Sequence, residues 1–289
     1  MVSEYDAFGP WIYEIDGEHP IPRLFVPYFQ DTETPLMLLK VPRDISRQAA
    51  SPDMDLYDYM IGAYGDHIRL LKREEASVRE IQVPYEDIEG LRLQRHFIKG
   101  LMTLYLPNDT LTISFNASSI NVVKGLFRLI RDRYTSELAA DRPPLVRPAG
   151  LDALYINLLN DMEAEGERPW RCAYQPLIER KMGPFSKYLA PKVPAAMHIL
   201  LPRELLVIQQ EPLPGADWKY NYHHTFFPLS RLEMFSIVEE PSKGSPYCVL
   251  RLPHHEISYV FGAENPDIRG FYDAARQARS AGGSLCQNR

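Results

Sequence analysis

The feature that most constrains this chain is an internal repeat. The segment VPYEDIEGLRL from Val83 aligns with FPLSRLEMFSI from Phe227, each an apolar residue, a proline and then apolar positions alternating into a strand. Downstream, LYLPNDTLTISF from Leu104 aligns with LRLPHHEISYVF from Leu250. Both read as alternating strands joined by a short polar turn, Asn108-Asp109 in one copy and His254-His255 in the other. One deletion then brings Gly125-Leu126-Phe127 over Gly270-Phe271-Tyr272, in stretches whose apolar residues recur at helical spacing. Upstream, GDHIRLLKRE from Gly65 and PRELLVIQQE from Pro202 read as matching strands. Self-similarity on this scale means one supersecondary unit built twice. The expected fold class is mainly β with some helix: two tandem modules of strands and a hairpin, each closed by a C-terminal α-helix.

The first closing helix is expected to bury Ile120, Val123, Phe127, Ile130 and Tyr134, with Ser118 or Ser119 as its N-cap. The second buries Ile268, Phe271, Tyr272 and Ala275. It is started by Asn265-Pro266-Asp267, where the asparagine caps free amides, the proline suits the first helical position and the acid meets the positive helix end. A chain of 289 residues accommodates two such modules. The first spans residues 1–148, with an insertion near 43–57 and a linker at 135–150 that carries Pro143, Pro144 and Pro148. The second spans 149–289 and opens with an amphipathic helix near 151–165, built on Leu151, Leu154, Tyr155, Leu158, Leu159 and Met162.

Composition narrows the function. A formal charge of −6 argues against nucleic acid or an anionic membrane surface as the main partner, since both reward a basic footprint. The N-terminal MVSEYDAFGPW has neither the basic start nor the apolar run of a secretory signal. No window reaches the length of uninterrupted apolar sequence that crosses a bilayer. Cys172, Cys248 and Cys286 show no zinc-site spacing, and an odd number leaves one thiol unpaired in an oxidising compartment. A cytoplasmic protein is the expectation.

The strings IRLLKRE, VREIQVPYEDIEGLRL and GLMTLYLPNDTLTISFN, followed by a helix ending at Tyr134, resemble the bacterial pleckstrin-homology-like domain. ELLVIQQE, FFPLSRLEMFSI and YCVLRLPHHEISYVF with their own helix repeat the pattern. The resemblance covers roughly residues 60–134 and 198–278 and rests on polarity patterns more than on fixed residues. It implies a bent, partly open β-barrel plugged at one end by the helix, a scaffold that binds peptides, proteins or lipid headgroups and is rarely catalytic. Lipid-binding members carry a basic cluster in the first hairpin. Here Lys72 and Arg73 run straight into Glu74 and Glu75, which argues against a phosphoinositide headgroup.

No nucleophile elbow, phosphate loop or dinucleotide fingerprint is present, and HHEISY from His254 lacks the second histidine of a zinc-protease helix. No catalytic residue and no cofactor is therefore assigned. The histidine pairs His223-His224 and His254-His255 are the weak metal candidates. Adjacent strand residues face opposite ways, so one of each pair, His224 and His255, would have to converge. For binding, the aromatic run Trp218, Tyr220 and Tyr222 in EPLPGADWKYNYHH is the first candidate surface, because large aromatic side chains anchor interfaces. The leading expectation is a non-enzymatic interaction or regulatory scaffold with protein or peptide partners. The alternatives are a small-molecule or peripheral-lipid binding module and a metal-dependent enzyme using the histidines.

Overall fold

A computed structural model describes residues 3–30, 33–75, 77–134, 145, 147–179, 192–210, 221–238, 247–262 and 265–286. The chain is mainly β, in antiparallel sheets, and among the described residues none of them closes into a barrel. It divides into two compact units that interleave in sequence. The first takes Met1–Ile88, Arg95–Leu104 and Thr110–Tyr134; the second takes Glu89–Gln94, Tyr105–Asp109 and Thr135–Arg289.

In the first unit a short helix α1 (Glu4–Ala7) precedes five strands, β1 (Tyr13–Glu14), β2 (Met37–Pro42), β3 (Tyr57–Ala63), β4 (His67–Arg73) and β5 (Val78–Pro84), which form one sheet in sequence order. Successive strands pair as antiparallel neighbours, with Met60 opposite Leu71 and Leu70 opposite Ile81. The alternation of β4 decides its faces: Ile68 and Leu70 go inward, while His67 and Arg69 stay partly exposed. Phe8, Phe25, Leu38, Leu56, Tyr57, Met60 and Leu71 form one core cluster. The segment expected as an insertion near 43–57 thus supplies three core side chains, Ala50, Leu56 and Tyr57. It is tied down by Arg47, whose guanidinium donates to the Phe8 carbonyl at 2.9 Å.

Pro84 ends β5, and a single 3-10 turn, Tyr85–Asp87, leads to β6 (Gly90–His96), β7 (Lys99–Leu106), β8 (Asp109–Asn116) and helix α2 (Ile120–Tyr134). The helix buries Val123, Leu126, Phe127, Ile130 and Tyr134, and packs on β3 and on the Tyr85 turn. Neither expected serine caps it. Asn116 accepts from the Ser118 amide and starts the preceding 3-10 turn, while the Ser119 hydroxyl accepts from the Ile12 amide at 2.9 Å.

The second unit repeats this order. Helix α3 (Ala153–Ala164) buries Tyr155 and Leu159, and is followed by β9 (Arg171–Gln175) and the short pair β10 (Ile178–Glu179) and β11 (Lys192–Val193). Then come β12 (Ala196–Leu200), β13 (Glu204–Gln210) and β14 (Tyr222–Pro228), which with β9 pair in the order β9-β12-β13-β14. Pro228 ends β14 as Pro84 ends β5. A 3-10 turn, Leu229–Arg231, leads to the antiparallel β15 (Met234–Val238), β16 (Tyr247–Arg251) and β17 (Glu256–Val260), and then to α4 (Pro266–Cys286). Leu205, Val207, Phe227, Leu250, Phe261 and Phe271 anchor the core here, and Ile268, Tyr272 and Ala275 are buried with them on the α4 face read from the sequence. Asn265 caps α4 as expected: its side-chain oxygen accepts from the amides of Asp267 at 3.1 Å and Ile268 at 3.4 Å.

Candidate functional site

Of the aromatic run, Trp218 and Tyr220 lie outside the described residues. Tyr222, at the start of β14, stacks on His224 with ring centroids 5.3 Å apart and an interplanar angle of 28°. His224 in turn meets Phe226 edge to face, so this side of β14 is an aromatic stripe set by the two-residue period of the strand. His223 points the other way and is buried.

The second histidine pair occupies a different environment within the second unit. His254 Nδ1–H donates to the Glu89 carboxylate at 2.5 Å, and the His254 amide donates to the other carboxylate oxygen at 3.2 Å. The Glu89 side chain is 3% exposed and the His254 ring 48% exposed, so a buried anion is compensated by an imidazole at the surface. His255 Nε2–H donates to the Leu106 carbonyl at 2.7 Å, which fixes its tautomer, and its ring meets Tyr105 edge to face. The Arg92 guanidinium lies 5.6 Å from the Tyr105 ring centroid and donates to the Thr225 hydroxyl at 3.1 Å. A carboxylate-oriented imidazole can pass a proton, but among the described residues no serine or cysteine nucleophile joins it. Among those residues, too, no group of three or more His, Cys, Asp and Glu side chains is arranged to hold a metal ion.

Two further buried polar groups escaped the sequence reading. His198, on β12, is fully buried; its Nδ1 is 2.8 Å from the Tyr272 hydroxyl, and Tyr259 and Phe271 crowd its ring. Burial pushes its pKa down to about 3, so it is a neutral core residue rather than a proton donor. Burial also pushes the thiols of Cys172 and Cys248 up, to about 11 and about 12, the opposite of what a nucleophilic cysteine needs. In the first unit Lys40 is 2% exposed. Its ammonium donates to the Pro20 carbonyl at 3.1 Å and sits 5.0 Å from the Tyr57 ring centroid, and burial lowers its pKa.

The most exposed apolar element was also missed. Phe97 and Ile98 form the two-residue loop between β6 and β7 and are 56% and 74% exposed. Phe97 has φ +40°, where turn chemistry favours glycine or asparagine. Beside this tip a cavity of about 130 Å³ is lined by Pro10, Arg43, Ile45, Ile98, Lys99 and Phe115, among others. The signal was present in RHFIKG, a hairpin without a turn residue at its tip. No known protein-family model matches this chain, and no curated protein matches its sequence.

Proposed function

We propose that the chain is a non-enzymatic interaction scaffold made of two pleckstrin-homology-like modules that holds protein or peptide partners. The observation that carries this reading is the twofold order of elements. An antiparallel sheet ends in a proline and a 3-10 turn, three further strands follow, and a helix closes the series, at β2 to α2 and again at β9 to α4. This is the order the family resemblance implies. The chemistry agrees with it. Several buried ionisable groups among the described residues have structural partners or are held neutral: Glu89 binds a backbone amide and an imidazole, His198 is a neutral core residue, and the thiols are held protonated. A fold alone licenses no function, so the partner class rests on the large exposed apolar side chains and on the lack, among the described residues, of a nucleophile beside the oriented imidazole. Free Cys172 and Cys248 suit a reducing cytoplasm, and among the described residues no helix is long and apolar enough to cross a membrane. Crosslinking in the native cell followed by affinity capture of the intact chain tests the proposal. Stoichiometric, reproducible partners support it. Recovery of none, together with substrate turnover by the purified protein, overturns it.

A further inference from the structure

We infer that the β6–β7 hairpin tip and the cavity beside it form a docking site for an acidic peptide segment carrying one medium-sized apolar side chain; the inference rests on the scaffold reading and assigns it a surface. Four observations converge on these residues of the first unit. First, Ile98 and Phe97 are the two most exposed large apolar side chains among the described residues. Their exposure is not looseness of the chain, because the Ile98 carbonyl accepts from the Ala117 amide at 2.8 Å and the loop is only two residues long. The backbone is held and the side chains are presented.

Second, Phe97 occupies a left-handed backbone conformation, φ +40°, that a glycine would adopt without strain. Phe97 is 56% exposed at this position, and strain of this kind points toward a role outside the fold. Third, the adjoining cavity has apolar walls from Pro10, Ile45, Ile98 and Phe115, with hydrogen-bonding groups on Ser114 and Asn116. At about 130 Å³ it takes one side chain of leucine size and is well below the few hundred cubic ångströms of a small-molecule pocket. A peptide that inserts one side chain fits this volume.

Fourth, the rim is basic in a chain of net charge −6. Arg43 and Lys99 line the cavity and the exposed Arg95 stands on the same hairpin, with no acid from Arg95 to Leu104. Asp44 also lines it and pairs with Lys99 at 3.0 Å, but both partners are mostly exposed. That pair is worth little in water and is readily exchanged for an incoming carboxylate. Arg43 is already engaged, by Asp58 at 4.0 Å and by the Asp55 carbonyl at 3.1 Å, so the cations open to a ligand are the exposed Arg95 and Lys99 of the hairpin. Beside a recess with one apolar wall they suit a peptide whose anchor is flanked by carboxylates. A membrane surface would call for a broader basic cluster and would leave the recess without a role.

The test uses the intact protein, fluorescence anisotropy, and labelled peptides with one Leu, Ile or Phe flanked by Asp and Glu, matched to the same peptides flanked by Lys. Acidic-flanked peptides are expected to bind at least about tenfold more tightly than their lysine-flanked counterparts, with affinity falling as salt rises. Ile98→Ser and Lys99→Glu should each weaken binding by about tenfold or more, while circular dichroism and melting stay close to wild type. Phe97→Gly should weaken binding without lowering the melting temperature, a combination that a structural role for Phe97 does not produce. Absence of charge-dependent peptide binding, or binding indifferent to all three variants, overturns the site. So does tip-dependent cosedimentation with vesicles of equal phosphatidylcholine and phosphatidylserine in the absence of peptide binding, which would assign the tip to a membrane. Cellular partners whose capture survives Ile98→Ser and Lys99→Glu would leave the scaffold reading standing and remove this surface from it.

Discussion

The buried His198 makes the protein acid-labile in a way that can be measured at one residue. Its folded pKa lies near 3, below the 6.5 of an exposed imidazole, because burial penalises the charged form. Lowering the pH therefore protonates the unfolded chain before the folded one. The contribution of this residue is fully present above about pH 6.5 and is lost progressively as pH falls toward 3. At pH 5 the loss depends only on the unfolded pKa, as long as the folded value stays well below 5. One and a half pH units at about 1.4 kcal/mol each give about 2 kcal/mol. His198→Asn keeps a polar group near the Tyr272 hydroxyl and removes the titration. Urea unfolding of both proteins at pH 7 and pH 5 isolates the residue, because every other acid-sensitive group is common to the two. The wild type should lose about 2 kcal/mol more than the variant between these pH values, whatever baseline cost the substitution brings. Parallel losses, equal to within a few tenths of a kcal/mol, would refute the burial argument.

Asn265→Ala should cost about 1 kcal/mol by removing the α4 cap, with Asn265→Asp recovering most of it, read by thermal melting. Glu89→Ala should destabilise by roughly 2–4 kcal/mol in chemical denaturation, since it strips two hydrogen bonds from His254, whereas Glu89→Gln should cost distinctly less. A Cβ on Gly100 would lie 2.3 Å from the buried Phe115 ring, so Gly100→Ala should cost about 1–3 kcal/mol through overpacking, seen as a lowered melting temperature. Phe97→Gly should raise stability by about 1 kcal/mol at most, by relieving the left-handed conformation at the tip.

What could be read in the sequence was whatever is encoded locally. The helix faces of α2 and α4 follow from spacing, and Asn265-Pro266-Asp267 announces a helix start because the capping groups lie within three residues of the amides they serve. The serine cap failed because two chemistries competed for it: Asn116 supplied the turn, and Ser119 was drawn to the Ile12 amide, 107 positions away. Glu89 and His254 are 165 positions apart, and no periodicity links a lone glutamate to a hairpin histidine. His198 sits inside the apolar run AMHILL, where its burial was legible but its partner on α4 was not. Phe97-Ile98 was overlooked for a simpler reason: hairpin rules look for glycine and asparagine, so a turn made without them passes as continuous strand.

The two copies differ at the turn of the hairpin before the closing helix, and in the second copy both turn histidines have structural partners. In the first copy Asn108 lies in the β7–β8 turn and Asp109 opens β8, small polar residues that tolerate tight backbone. The equivalent β16–β17 turn carries His254-His255, and both imidazoles are used. One compensates Glu89 and the other binds the Leu106 carbonyl. Glu89 and Leu106 belong to Glu89–Gln94 and Tyr105–Asp109, the segments that the second unit takes from the first half of the chain. An Asn-Asp turn would serve less well there: asparagine in place of His254 is shorter than an imidazole, and aspartate in place of His255 has no N–H for the Leu106 carbonyl and brings a second carboxylate toward Glu89. Through these two contacts the histidine pair ties the turn to the strand segments Glu89–Gln94 and Tyr105–Asp109 within the second unit.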